Sequence, residues 1–241
     1  MKALFIFMFT IIFFGFTSNE NDVIIKSPNH SNWNILLKKY VDNEGNVNYN
    51  DFKKDSVLLY DYLNELAENA PSNNWSKKDK LAYYINIYNA ATVQLILDNY
   101  PIKSIKDIKN PWDKEWIKIG VETFSLNQIE HKILRKMNEP RIHFAINCAS
   151  YSCPKLSNEA YISENIEKQL QKATFDFIND SKKNKLSENS LQLSAIFKWY
   201  KGDFTKNKSL IDYIKPFTKV NINSKAKINY IDYDWSLNEI K

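Results

Sequence analysis

One stretch, Ser76 to Pro101, constrains this chain more than any other. Ser76 followed three residues later by Asp79 reads as a capping box, and Tyr100-Pro101 is a stop, so the spacing predicts a helix over 79–99. Its apolar residues (Leu81, Tyr84, Ile85, Tyr88, Val93, Leu95, Ile96) surround the axis instead of forming one stripe, which places the helix inside the fold. Asn86 and Asn89 share a face at i and i+3. A buried Asn is costly without hydrogen-bond partners, so this pair is expected either to position a loop or catalytic side chain, or merely to cap nearby backbone or face solvent.

Around this helix the pattern predicts several shorter elements. Helical periodicity marks 33–41, 56–67, 126–137 (opened by a second capping box, Ser125 with Gln128), 163–178, 195–200 and 209–214. A linking segment with a short helix covers 101–112. A hairpin about Gly120 is expected over 116–124, a second pairing between 185–186 and 191–193, and a strand over 227–235. Residues 142–147 alternate like a strand, with His143, Ala145 and Asn147 on one face. Asp42-Asn43-Glu44-Gly45 reads as a plain acidic turn. The sum is α+β: a mostly helical single domain over 33–241 with a small, mainly antiparallel sheet.

Residues 1–18 read as a signal peptide: Lys2, then an apolar run from Ala3 to Phe16, then small or polar residues. A polar leader, 19–32, follows. The apolar run falls short of the ~20 residues of a membrane span, and no Cys follows it for lipidation. The expectation is a periplasmic or secreted protein with no stable membrane span after signal cleavage. Only four glycines occur, which excludes Gly-rich phosphate loops and dinucleotide fingerprints. The net charge of +5 is mild and scattered, which argues against nucleic acid as a partner. No cofactor is called for.

Chemistry concentrates between 131 and 153. Of three His and two Cys in the chain, His131, His143, Cys148 and Cys153 fall there, together with both arginines, Arg135 and Arg141. Lys serves at any solvated face, so Arg here suggests a planar guanidinium holding carboxylate or carbonyl oxygens. A thiol becomes a nucleophile when a neighbouring His takes its proton and a third polar group fixes the imidazole. Cys148 is the candidate nucleophile, His131 or His143 the base, and Glu130 the orienter. Helical neighbours point about 100° apart, so Glu130 would serve His143 sooner than His131, though the roles can be reversed. Asn147, Ser150 and backbone N–H groups are candidate oxyanion donors. Three other readings compete: a Cys148–Cys153 disulfide staple, as exported proteins use, a zinc site from His131, His143, Cys148 and Cys153, and histidines that simply satisfy the core. Disulfide and enzyme are compatible if the disulfide is a resting form opened by reductant.

Five motifs, in order, resemble a known family: Tyr84-Ile85-Asn86-Ile87-Tyr88-Asn89-Ala90; Ile129-Glu130-His131; His143-Phe144-Ala145-Ile146-Asn147-Cys148-Ala149-Ser150-Tyr151-Ser152-Cys153-Pro154; Phe197-Lys198-Trp199-Tyr200; and Tyr233-Asp234-Trp235-Ser236-Leu237-Asn238. Together they resemble the bacterial and plant family called Domain of Unknown Function 547 over roughly 33–238. The resemblance implies a fold similar to papain-like or transglutaminase-like cysteine hydrolases, with Cys148, His131 or His143, and Glu130 as the suspected set. Tyr84 stands where many relatives carry Trp. Papain-like enzymes place the nucleophile before the His; here both His precede Cys148, which implies a permuted order or a looser likeness. The two functions to weigh are a cysteine hydrolase or acyl transferase acting on a peptide or cell-envelope amide or on a thioester, and a non-catalytic envelope domain, stapled by Cys148 and Cys153, that binds peptide or glycan through its Trp and Tyr side chains.

Overall fold

The computed structural model describes residues 27–240, so the expected signal peptide (1–18) and most of the polar leader lie outside the described residues. Three helices lead in: α1 (Ser31–Tyr40), α2 (Tyr49–Phe52) and α3 (Ser56–Glu68). They cover one side of α4 (Lys77–Asn99), whose capping box forms as expected. The Ser76 hydroxyl accepts from the Asp79 N–H and the Asp79 carboxylate accepts from the Ser76 N–H. Such a cap contributes about 1 kcal/mol. At the other end Tyr100 turns extended, as the residue before a proline must. From Leu81 to Leu97 every α4 residue except Tyr84 is buried. Each fully buried Leu or Ile contributes roughly 1.5–3 kcal/mol, so α4 is held by its surroundings on all sides and not by a single stripe.

Strands β1 (Ile117–Ile119) and β2 (Glu122–Phe124) form the expected antiparallel hairpin about Gly120, whose positive φ suits a turn that glycine adopts without cost. The helical path that follows is not uniform. Helix α5 (Leu126–Gln128) passes into a π-turn at Ile129–Ile133 and then a 3-10 segment at Leu134–Met137. Helix α6 (Ile166–Asn179) begins three residues later than its sequence suggests. The Gln169 amide bridges the Ile162 N–H and the Ala160 carbonyl, holding residues 160–162 outside the helix.

A second sheet contains β3 (Lys185–Leu186), β4 (Ser190–Ser194) and β5 (Lys227–Ile231), in that order. Two of the three strand pairings in the fold are antiparallel. The third and longest, β4 with β5, is parallel and runs from Ser190↔Lys227 to Ser194↔Ile231. Between these strands lie α7 (Ile196–Trp199), α8 (Lys201–Phe204) and α9 (Leu210–Ile214). Phe144, Phe177, Phe197 and Phe204 interlock here with centroids 5.2–6.0 Å apart, in a second apolar cluster beside the one around α4.

The expected strand at 142–147 does not form. Residues Pro140–Phe144 are a 3-10 turn. Pro140 sits at its start with φ already suited to a helix, and the Glu139 side chain accepts from the Arg141 N–H to cap it. Nor is the apparent alternation one of exposure, since Ile142 through Asn147 are all buried. After β5 the chain crosses back as a strap. Ser236 bridges to Ser104, Leu237 to Ser150, and Glu239 to Val47. No helix among the described residues is long and apolar enough to cross a membrane.

Candidate active site

The cysteine loop, 145–154, is fixed from below by α4. Asn89 donates to the Ala145 carbonyl (2.9 Å) and accepts from the Asn147 N–H (2.8 Å). Asn86 does the same for Tyr161, donating to its carbonyl and accepting from its N–H. Both therefore position loops, as one expectation held. Asn147 is engaged inside the loop: its amide donates to the Pro154 carbonyl and its oxygen accepts from the Ala149 N–H, and its side chain does not line the cleft. Ala149 has a φ of +57°, a conformation costing an L residue roughly 1–2 kcal/mol. That bend turns the chain sharply just after Cys148.

Cys148 and Cys153 are joined as a disulfide. Around it, the Ser150 hydroxyl donates to the Tyr233 hydroxyl (2.9 Å), which donates to Cys153 Sγ (3.1 Å), and Ser150 Oγ lies 3.3 Å from Cys148 Sγ. Burial pushes the Tyr233 phenol up.

The π-turn presents Glu130 and His131 to the same cleft. A π-turn inside a helix widens the backbone locally and is common at functional sites. Arg135, four residues on, donates from Nη1 to His131 Nδ1 (2.8 Å). It also grips Asp203 with two bonds, at 2.7 and 3.1 Å. The same Asp203 carboxylate meets His143 Nε2 at 2.8 Å. The His143 hydrogen bond, with Arg135 behind it, holds the Asp203 carboxyl far below the usual carboxylate range. His143 is 3% exposed and stacks on Tyr200 at 3.9 Å.

These partners fix both imidazoles. Arg can only donate, so His131 Nδ1 accepts and the ring proton sits on Nε2. Asp203 is an ionised acceptor, so His143 presents its Nε2–H to it. The His143 Nδ1 is buried without a hydrogen-bond partner.

The hydrogen-bond partner of His143 is Asp203 and not Glu130, and Arg135 joins that Asp203 to His131. Arg141 lies away from the cleft; it does hold carboxylates, those of Glu139 and Glu167, at 2.6–3.0 Å. Asp203 stands 60 positions from His143, and only its place three residues after the Phe197-to-Tyr200 motif offered a signal. Tyr88, Trp112, Trp199, Tyr200, Tyr233 and Trp235 also line the cleft, whose volume is about 380 Å³. Cys148, Cys153, His131, His143 and Glu130 line the same cleft. Among the described residues no group of three or more His, Cys, Asp or Glu is arranged to hold a metal.

A family model described as "Protein of unknown function, DUF547" matches residues 72–178. Over that stretch the chain is similar to the DUF547 family. The stretch supplies α4 with Asn86 and Asn89, the π-turn, His143 and the cysteine loop. Other lining residues of the cleft (Trp199, Tyr200, Tyr233, Trp235), and Asp203 behind His143, come from beyond the matched stretch. No curated protein and no solved structure matches the chain.

Proposed function

We propose that this protein is an exported cysteine-dependent hydrolase or acyl transferase that attacks an amide or thioester carbonyl. The observation that carries this is the meeting of Cys148, His131 and His143 in one cleft, with each imidazole held by a hydrogen bond at one ring nitrogen. In this reading the disulfide is a resting form. A dithiol reductant opens it, taking the two sulfur atoms to thiols and leaving as a disulfide itself.

His143, oriented by Asp203, then takes the Cys148 proton on its free Nδ1. The thiolate attacks the carbonyl carbon and the C–N or C–S bond breaks. The proton held by His143 passes to the leaving amine or thiol. Water, or a second amine, releases the acyl group from Cys148. His131, with its proton on Nε2, is the donor suited to the carbonyl oxygen as charge develops there.

Alkylation tests this directly. After reduction, Cys148 is expected to react with iodoacetamide well below the ordinary thiol pKa of about 8.5, as read by peptide mass spectrometry. His143→Ala is expected to return that profile to the ordinary range, and His131→Ala to leave it in place. If Cys148 and Cys153 react alike, and only at alkaline pH, the reading fails.

A second reading is favoured by the disulfide together with the aromatic cleft wall: a non-catalytic envelope domain that binds peptide or glycan. Cys148→Ser separates the two, since it ends turnover under the first and chiefly lowers stability under the second.

A further inference from the structure

Glu130 is a buried acid to which the chemistry proposed above gives no task. It is 7% exposed; the Tyr88 hydroxyl reaches Oε2 at 3.5 Å, a long contact, and the Tyr200 phenol also interacts with the carboxylate, while Oε1 is buried with no hydrogen-bond partner. Neither histidine needs it, as their partners are Arg135 and Asp203. Buried polar groups are almost always hydrogen-bonded, and an ionised carboxylate most of all. An unmet carboxylate oxygen in the wall of an open cleft is therefore a place made for a donor from outside.

The surroundings say which kind of donor. Tyr88 and Tyr200 flank Glu130, and their phenols are pushed up by burial and then by the neighbouring Glu130 carboxylate. Trp112, Trp199, Tyr233 and Trp235 continue the wall, with neighbouring centroids 4.5–5.9 Å apart. Asp113, exposed at the rim, adds a second carboxylate. Ring faces around a carboxylate attract a cation by their quadrupoles and reject an anion. The chain's own cations already use these rings from elsewhere: Lys106 Nζ lies 4.4 Å from the Trp235 centroid and the Arg135 guanidinium 5.4 Å from that of Tyr200. Neither Lys106 nor Arg135 lines the cleft.

We infer that the cleft holds a subsite for a primary ammonium group, bound to Glu130 Oε1 and enclosed by the aromatic wall. The substrate's acyl portion then carries a free amine, as in a peptide with an unblocked N-terminus or an amino-bearing side chain. The identity of that group as part of a substrate rests on the cysteine reading above; the ammonium site itself does not.

Binding can be measured without turnover on the oxidised protein, which keeps the two ideas separate. The probes are Ala-Ala-Ala amide and its N-acetylated twin, followed by saturation-transfer NMR and by quenching of tryptophan fluorescence. The free amine is expected to bind at least about ten-fold tighter, a difference of about 1.4 kcal/mol. Glu130→Gln is expected to erase that preference while the melting temperature stays within a few degrees of the parent. Trp199→Leu, at a residue 48% exposed and so safe for folding, is expected to weaken the amine probe several-fold more than the acetylated one. Equal binding of the two probes, or a preference untouched by Glu130→Gln and Trp199→Leu, overturns the inference. Loss of low-pH Cys148 alkylation with the amine preference intact would instead sink only the enzyme reading.

Discussion

Asp203 joins three roles in one carboxylate: it orients His143, anchors Arg135, and through Arg135 fixes His131. Replacing it with Asn keeps the shape and removes the charge, so His143 loses its anionic partner and can meet an amide donor instead. Under the proposed mechanism Asp203→Asn is expected to slow alkylation of reduced Cys148 at neutral pH by about 10²-fold, the low end for a general base. A rate unchanged within two-fold would remove Asp203 from the mechanism. Sequence made Cys148 and both histidines legible because rare residues crowded one window. Asp203 was hidden because acids are common and the contact spans 60 positions. Glu130 was assigned from its position beside His131, but its neighbours in space are tyrosines from α4 and the segment joining α7 to α8.

Among the elements, α4 was the most readable, since a cap, a stop and an all-round apolar pattern leave little else to build. The 142–147 segment was misread because residues buried on every side carry no periodicity, and because Pro140 with the Glu139 cap favours a turn over a strand. The π-turn has no simple sequence signature either. What α4 does for the site is carried by Asn89. Asn89→Ala leaves the Ala145 carbonyl and the Asn147 N–H unpaired in the interior, at roughly 1–3 kcal/mol each. Urea unfolding is expected to show a loss of about 2–5 kcal/mol, with the cysteine loop the first region to gain hydrogen exchange. Were the loss under about 0.5 kcal/mol, the clamp would have no part in stability.

For the whole molecule, acid should act in two stages. His30 is buried against the Tyr62 hydroxyl, 2.7 Å away, and burial lowers its pKa to about 4 despite the nearby Glu164. The unfolded chain takes up that proton first, near the ordinary 6.5. The His30 contribution is therefore complete above pH 6.5 and lost as pH falls toward 4, by about 3 kcal/mol. Asp203 adds a later stage: with its folded pKa depressed, its contribution persists down to about pH 4 and disappears below that. Melting temperature followed from pH 8 to 3 should show both, and His30→Gln should flatten only the upper stage. A flat profile between pH 7 and 4.5 in the parent would contradict the assignment to His30.

The strap from Tyr233 to Glu239 gives the fold a further property. It lies across Lys103, Ala149 and Val47, and it supplies Tyr233 and Trp235 to the cleft. Residues near 45, 89, 148 and 235 must all be in place before the cleft has a far wall. A ribosome that had released only the matched stretch would have delivered both cysteines, His131 and His143 without their enclosure. A protease that cut once in the segment before Tyr233 would undo the same wall while leaving α4 and its core intact. Assembly of the site is thus a late event in the life of the chain, and its dismantling can be an early one.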